Sequence, residues 1–263
     1  MNSEMFKIDQ REVDFDCEKH GKIKVNQHYF AGKWHDPKCP KCAEEQKAKE
    51  EREAKEREER EKAERKRRRI EANIGRAMIP LRFQQHTFET YKTITNDQKE
   101  KKRICEDYAK NFEEANDLGR CMIFYGNTGT GKTHLACAIA NSILKRDYTT
   151  VYIGLIDVIN SVKRTYSTNS DKSEQEVIDS LSSPDLLILD EIGVQFNTDT
   201  EKLILFEIIN NRYEAIKPTI IISNRTAAEL GEFVGERVID RMRENGGKLL
   251  NFDWQSHRKT RND

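Results

Sequence analysis

The amino-acid sequence predicts an α/β fold, a three-layer sandwich in which helices cover both faces of a parallel sheet. A small metal-binding module and a charged helical linker are expected to precede it. Three observations lead to this prediction. Residues 76–263 alternate short apolar runs with amphipathic stretches, residues 43–75 are dominated by charged side chains, and residues 1–42 hold clustered cysteines and histidines. We therefore expect three consecutive parts: 1–42, 43–75 and 76–263.

Charge is distributed unevenly along the 263 residues, although 46 basic and 46 acidic side chains give a net charge of zero. The stretch 43–72 alone holds 12 basic and 11 acidic residues. Net neutrality therefore does not exclude an electrostatic partner. The sequence contains no run of about 18 apolar residues and no apolar signal-peptide core at its start, so we expect a cytoplasmic protein with no membrane partner.

The N-terminal part has the spacing of a zinc site. Two ligand pairs, 18 residues apart, supply three thiols and one imidazole: Cys17 with His20, and Cys39 with Cys42. Without a secretory signal, metal ligation is favoured over disulfides, and a closed tetrahedral zinc site would stabilise so short a segment. His28 and His35 are rival ligands, and reduced surface cysteines are the alternative to a metal site. We expect an adaptor that docks a replication protein, with DNA binding as the rival role.

The charged part favours a helix. Five acidic residues each precede a basic residue by four positions: Glu51–Lys55, Glu53–Arg57, Glu56–Arg60, Glu58–Lys62 and Glu61–Arg65. Such pairs each stabilise a helix by about 0.2–0.5 kcal/mol. Alanines are the only apolar residues from Ala43 to Arg69, so a coiled coil is excluded and a solvated helix or a disordered tether remains. The basic run 65–69 suits either phosphate contact or a solvated helix end.

The third part alternates predicted strands and helices. Strands are predicted at 121–125, 150–153, 186–189 and 219–223, and helices at about 134–146, 156–166, 174–181 and 200–215.

A glycine-rich motif follows the first of these strands and precedes a helix. It fits G-x-x-x-x-G-K-[ST] and consists of Gly126, Asn127, Thr128, Gly129, Thr130, Gly131, Lys132 and Thr133. In this context the backbone N–H groups surround phosphate oxygens, the lysine reaches the β- and γ-phosphates, and the threonine hydroxyl binds Mg²⁺. We therefore predict an ATP site, which includes the adjacent His134.

Two carboxylates, Asp190 and Glu191, end the apolar run 186–189. Asp190 is predicted to complete the Mg²⁺ site with Thr133, and Glu191 to polarise the attacking water. Capping of the next helix is the alternative. Asn224 follows the strand 219–223 and is predicted to orient the same water, with a turn-forming role as its alternative. This arrangement favours Mg²⁺-dependent hydrolysis of ATP over phosphoryl transfer.

At this point the sequence resembles a known family. The glycine-rich motif, LLILDEIG (186–193), TIIISNR (219–225), GERVIDRM (235–242) and FDWQSHR (252–258) occur in order. Together they are similar to bacterial and phage replicative-helicase loaders of the DnaC type, which are AAA+ ATPases. Residues 79–83 and 87–91 resemble the segment that leads into the same domain. The resemblance covers about residues 76–260, and related transposition-helper ATPases share much of it.

The resemblance implies roles for further residues. Asn224 matches the sensor-1 position, Arg241 the arginine finger that acts on a neighbouring subunit's nucleotide, and Arg258 sensor 2. Arg237, one helical turn before Arg241, is expected to contribute to the finger contact. The alternative is that these arginines belong to a solvated C-terminal helix.

A basic pair with an aromatic side chain, Lys163, Arg164 and Tyr166, follows the second predicted strand of the third part. In such ATPases this region faces a central channel, and these side chain types suit single-stranded DNA through phosphate attraction and base stacking. Packing of Tyr166 into the core is the alternative.

Taken together, the resemblance implies an ATPase that self-associates through its ATPase domain. It is expected to deliver a hexameric replicative helicase onto single-stranded DNA. ATP, Mg²⁺ and Zn²⁺ are the expected cofactors. A transposition helper and a nucleotide-switched scaffold with little turnover are the alternatives.

Overall fold

The computed structural model describes residues 9–167, 170–193 and 198–257. The chain forms two compact units, residues 1–65 and 66–263. Within the described ranges, no helix is both long enough and apolar enough to cross a membrane.

The first unit contains a three-stranded antiparallel sheet. Strands β1 (Asp9–Cys17) and β2 (Gly21–Phe30) form a hairpin, and the short β3 (Lys33–Trp34) pairs with the end of β2. Opposite residues Val13 and Val25 lie on one face, whereas Glu12 and Lys24 on the other form an exposed ion pair at 3.2 Å. Sequence patterns predicted a metal site here but not this hairpin.

A long helix, α1 (Pro40–Arg76), occupies the charged part of the chain. It begins with proline, which suits a first helical turn because its missing N–H would have no partner there. The predicted pairs Glu58–Lys62 and Glu61–Arg65 are present at 2.6 and 4.0 Å. The structure thus has a helix rather than an irregular tether.

The second unit is built on a five-stranded parallel sheet. Its strands are β4 (Met122–Gly126), β5 (Thr150–Gly154), β6 (Leu186–Ile192), β7 (Thr219–Ser223) and β8 (Lys248–Phe252), in the order β5-β6-β7-β4-β8. The four strands predicted from the sequence are confirmed. Strand β8, at the edge beside β4, was not predicted.

Helices lie on both faces of this sheet. They are α2 (Asn96–Lys110), α3 (Phe112–Asp117), α4 (Lys132–Leu144), α5 (Leu155–Thr165), α6 (Glu174–Ser182), α7 (Asp199–Glu214), α8 (Ala227–Val234) and α9 (Glu236–Arg243). Alternate strand residues enter two separate cores: Phe124 packs with the side of α2 and α4, and Ile123 with the side of α5 and α7. This arrangement is the predicted three-layer sandwich.

Strand order determines where functional side chains meet. Because β6, β7 and β4 are adjacent and parallel, their carboxyl ends lie at one edge of the sheet. The glycine-rich loop leaves β4, Asp190 and Glu191 lie at the end of β6, and Asn224 follows β7. Ligands of open parallel sheets bind at this edge.

Candidate functional site

The glycine-rich loop has the backbone conformation that its glycines allow. Gly126, Gly129 and Gly131 have φ values of +115°, +78° and +97°, in the region that side chains disfavour. A Cβ at Gly126 would lie 2.5 Å from the carbonyl oxygen of Phe252, so the loop also needs glycine for close approach. Helix α4 begins directly after the loop, at Lys132.

Lys132 is the buried cation of this loop, with 4% of its surface exposed. Its Nζ donates hydrogen bonds to the carbonyl oxygens of Gly126 and Asn127, at 2.8 and 2.6 Å. Burial lowers the pKa of this ammonium group to about 8, although the negative charge of Asp190 opposes the shift. A phosphate would give the charge a stronger partner than two carbonyl groups.

Thr133 and Asp190 meet as the sequence predicted for a magnesium site. The Thr133 hydroxyl donates to Asp190 Oδ2 at 2.9 Å, and Asp190 is only 6% exposed. A hydroxyl beside a carboxylate fits Mg²⁺, which prefers oxygen ligands. The neighbouring Glu191 has a φ of +61°, and its side chain is exposed at the tip of β6.

Tyr152 was not singled out by sequence analysis, although it contacts the same carboxylate. Its hydroxyl donates to Asp190 Oδ2 at 2.6 Å. Burial, followed by the charge of Asp190, raises the pKa of this phenol, which therefore stays protonated at neutral pH. An aromatic residue on a strand is typical of a core, so no sequence pattern distinguished it.

Asn224 lies at the predicted edge and is exposed. The end of its strand is anchored to β6, because the Ser223 hydroxyl donates to the carbonyl of Ile192 at 2.7 Å. Arg225 adds a bond from Nε to the carbonyl of Gly193 at 2.9 Å. The structure places Asn224 beside the carboxylates, and its role in orienting water stays a prediction.

Two segments from distant parts of the sequence pack against the glycine-rich loop. Tyr91, from the lead segment (residues 77–91), donates through its hydroxyl to the carbonyl of Thr130 at 3.2 Å. The indole N–H of Trp254 reaches the same carbonyl at 3.1 Å. The backbone N–H of His257 donates to Gly129 O at 2.9 Å. Residues near the C-terminus therefore line the phosphate loop.

His134 was predicted as part of the ATP site, and its ring faces the lead segment. The ring stacks on His86 with centroids 4.0 Å apart, and Nε2 donates to the carbonyl of Thr87 at 2.9 Å. Burial lowers the pKa of His134, and burial together with the charges of His134 and Arg82 lowers that of His86 to about 4. The side chain thus holds the lead segment against α4.

The predicted arginines differ in their surroundings. Arg241, on α9, donates to the side-chain oxygen of Asn210 and lies over the ring of Tyr213 at 4.8 Å. Arg237 is exposed and has no hydrogen-bond or ion-pair partner among the residues that the structure describes. Arg258 lies outside the described residues.

The predicted DNA-contacting side chains lie at the C-terminal end of α5. Lys163 and Arg164 are exposed, and Tyr166 exposes 59% of its surface. Packing of Tyr166 into the core, the alternative interpretation, is therefore wrong. Contact with DNA stays a prediction.

The predicted zinc ligands converge in the first unit. Their four ligand atoms, from Cys17, His20, Cys39 and Cys42, all lie within 4.8 Å of one another. His20 Nδ1 lies 3.7, 3.5 and 3.3 Å from the three thiols in that order, and the Cys17 and Cys42 sulfurs are 3.5 Å apart. Zn–S and Zn–N bonds of about 2.3 and 2.0 Å in a tetrahedron require separations of this size.

Neighbouring groups favour a metal at this cluster. Backbone hydrogen bonds from His20 and Lys19 lower the pKa of the Cys17 thiol to about 6, whereas the hydrogen bond with Cys17 raises that of Cys42 to about 11. The other ring nitrogen of His20 lies 3.3 Å from Glu45, the kind of carboxylate that orients a metal-binding imidazole. The rival ligands His28 and His35 lie outside the cluster.

Known proteins place these features in a family. Residues 37–257 match the model of the IstB-like ATP binding proteins. The chain belongs to this family. It is 34% identical over 194 residues to the replicative helicase loader DnaC of Buchnera aphidicola subsp. Schizaphis graminum, which covers 74% of this chain and 78% of that relative. It is 35% identical over 175 residues to the DnaC of Escherichia coli strain K12, covering 66% and 70%.

A solved structure agrees with this family membership. A crystal structure of the DnaC helicase loader superimposes with a TM-score of 0.59 and 24% identity, over 66% of this chain and all of that chain. The predicted AAA+ fold and the resemblance to DnaC-type loaders are confirmed. The first pair of zinc ligands, Cys17 and His20, lies before the matched residues 37–257.

Proposed function

We propose that this protein is a Mg²⁺-dependent ATPase that binds a hexameric replicative helicase and loads it onto single-stranded DNA. One observation supports the ATPase part above all: Thr133 of the phosphate loop and Asp190 of β6 are in contact at 2.9 Å. Two segments 57 residues apart thereby form one oxygen-rich site beside a buried lysine. The loader role is supported by relatives named replicative helicase loaders that are 34–35% identical.

Each residue of the site has a task in this mechanism. Backbone N–H groups of residues 126–133 and the ammonium of Lys132 bind the phosphates of ATP. Thr133 and Asp190 hold Mg²⁺, which when bound neutralises charge on the phosphates. Glu191 accepts a proton from the attacking water, and Asn224 orients that water. Together these groups stabilise charge where it develops, which is the main source of catalysis in phosphoryl transfer.

Self-association would supply the remaining charge. Arg241 and Arg237 lie on the same helix, one turn apart, and we assign both to the nucleotide of a neighbouring copy. Arg237 is free to reach it, whereas Arg241 would first exchange its contacts with Asn210 and Tyr213. Hydrolysis would then depend on assembly.

The other predicted sites give the protein its partners. The end of α5, with Lys163, Arg164 and Tyr166, would bind single-stranded DNA, because exposed cations and an exposed ring suit a phosphate backbone and its bases. The zinc cluster would stabilise the hairpin of the first unit as the adaptor that docks the helicase. Cys17, His20, Cys39 and Cys42 fill all four positions of a tetrahedron, which leaves none for catalysis.

The Glu191→Gln substitution tests the hydrolytic assignment. We expect phosphate release to fall by roughly 10²–10⁴-fold, because an amide cannot accept the proton of water, while ATP binding is retained. Glu232→Gln on α8 is the matched control, since Glu232 is an exposed glutamate away from the sheet edge. Unchanged turnover in Glu191→Gln would favour the nucleotide-switched scaffold.

A transposition helper remains the second candidate, because the matching family is described by its IstB-like members. Pull-down with a replicative helicase and, separately, with a transposase distinguishes the two. Capture of the transposase alone would favour the transposition helper.

A further inference from the structure

Tyr152 lies on β5, beside the strand that carries the magnesium-binding carboxylate. In the register of these parallel strands Tyr152 is opposite Ile188, and Gly154 is opposite Asp190. The tyrosine side chain extends along the sheet toward its carboxyl edge, where the hydroxyl meets Asp190 Oδ2 at 2.6 Å. The ring is only partly buried, so it is not explained by core packing alone.

Asp190 is fixed by three donors. Oδ2 accepts from the hydroxyls of Tyr152 and Thr133, at 2.6 and 2.9 Å, and Oδ1 accepts from the backbone N–H of Glu191 at 2.7 Å. Hydrogen bonds to a charged acceptor are stronger than those between neutral groups. Tyr152 therefore supplies one of the two side-chain donors that set the orientation of this carboxylate.

Tyr152 is itself held by the lead segment. Its backbone N–H donates to the carbonyl of Ala77 at 2.9 Å, which is the first residue after α1. Its ring lies edge-on to Phe83, with centroids 6.1 Å apart. The position of its hydroxyl is thus determined by the sheet and by the lead segment together.

We propose that Tyr152 is a positioning residue of the magnesium-nucleotide site. By donating to Asp190 it holds the carboxylate in the orientation that, with Thr133, accepts the cation, and it connects this carboxylate to the lead segment. The inference rests on the proposed function, since it concerns the same Mg²⁺ and ATP. A phenylalanine at this position would keep the ring and remove only the donor.

The test compares ATP affinity with and without the cation. Dissociation constants for a fluorescent, non-hydrolysable ATP analogue are measured in Mg²⁺ and in EDTA, for the full chain and for Tyr152→Phe. We expect affinity in Mg²⁺ to fall about tenfold, as for loss of one hydrogen bond to a charged group. Affinity in EDTA should stay the same, because Tyr152 acts only through the carboxylate.

Tyr148→Phe is the matched control. Tyr148 lies two residues before β5 with its ring against Phe112, and its hydroxyl takes no hydrogen bond among the described residues. It should match the unsubstituted chain in both buffers.

Two results for Tyr152→Phe would overturn the inference: unchanged affinity in Mg²⁺, or an equal loss in Mg²⁺ and EDTA. A different result would overturn the proposed function together with it, namely an unsubstituted chain whose ATP affinity does not depend on Mg²⁺.

Discussion

Lys132 is a buried ammonium group whose charge is sensitive to pH. Its pKa is lowered to about 8 by burial, and only loop carbonyls and the charge of Asp190 compensate. Below pH 8 most molecules carry the cation that a phosphate requires. As pH rises through 8 the free protein loses this proton, and ATP binding must take it up again.

We therefore expect ATP affinity to be nearly constant up to about pH 7 and to weaken roughly tenfold by pH 9. Dissociation constants at constant Mg²⁺ across this range measure the effect, with thermal unfolding at each pH as the control for folding. Equal affinity at pH 7 and pH 9 would show that Lys132 keeps its charge and would contradict its assigned surroundings.

Sequence analysis identified the residues of this site that belong to contiguous motifs. The spacing of Gly126 to Thr133 and the position of Asp190 after an apolar run were enough to predict that they meet. Tyr152 escaped, because its contact depends on the register between two strands, which the sequence does not show. The direction of the His134 ring escaped too, since it depends on stacking against His86, 48 residues earlier.

At the scale of elements, the N-terminal hairpin depends on the metal cluster. Few of its residues are buried: Val25 is one, and Cys17 and Cys39 of the cluster are others. Such a small unit lacks the apolar core that would stabilise it alone. A bound zinc ion would supply that stability by joining the turn after β1 to the start of α1.

Zinc content tests this account. The purified chain is expected to hold one zinc ion, and Cys39→Ser to hold much less, because a hydroxyl is a poor zinc ligand beside thiolates. His35→Ala is the matched control, since His35 lies outside the cluster and should leave zinc bound. Elemental analysis measures both, and an unchanged zinc content in Cys39→Ser would refute the ligand set.

Elements with a clear period were predictable, and short ones were not. The strands 186–189 and 219–223 are continuous apolar runs, which parallel sheets favour. Strand β8 has only five residues and includes Lys248 and Asn251, because an edge strand is covered less completely. The hairpin β1–β2 is similarly polar on one face, so it was assigned only as a metal module.

At the scale of the whole molecule, the two units divide the work that we propose. The unit of residues 66–263 has the AAA+ fold and the nucleotide site. The unit of residues 1–65 has the metal cluster and most of a highly charged helix. A net charge of zero thus conceals a self-neutralising helix, a basic run and individual arginines near a phosphate site.

The central claim is that this protein binds a replicative helicase under the control of nucleotide. Size-exclusion chromatography of the full chain with a hexameric replicative helicase, in ATP and in ADP, tests it most directly. The account predicts a stable complex in ATP and a weaker one in ADP, and reduced binding by Cys39→Ser in both. Absence of any complex in ATP, with a transposase bound instead, would contradict it.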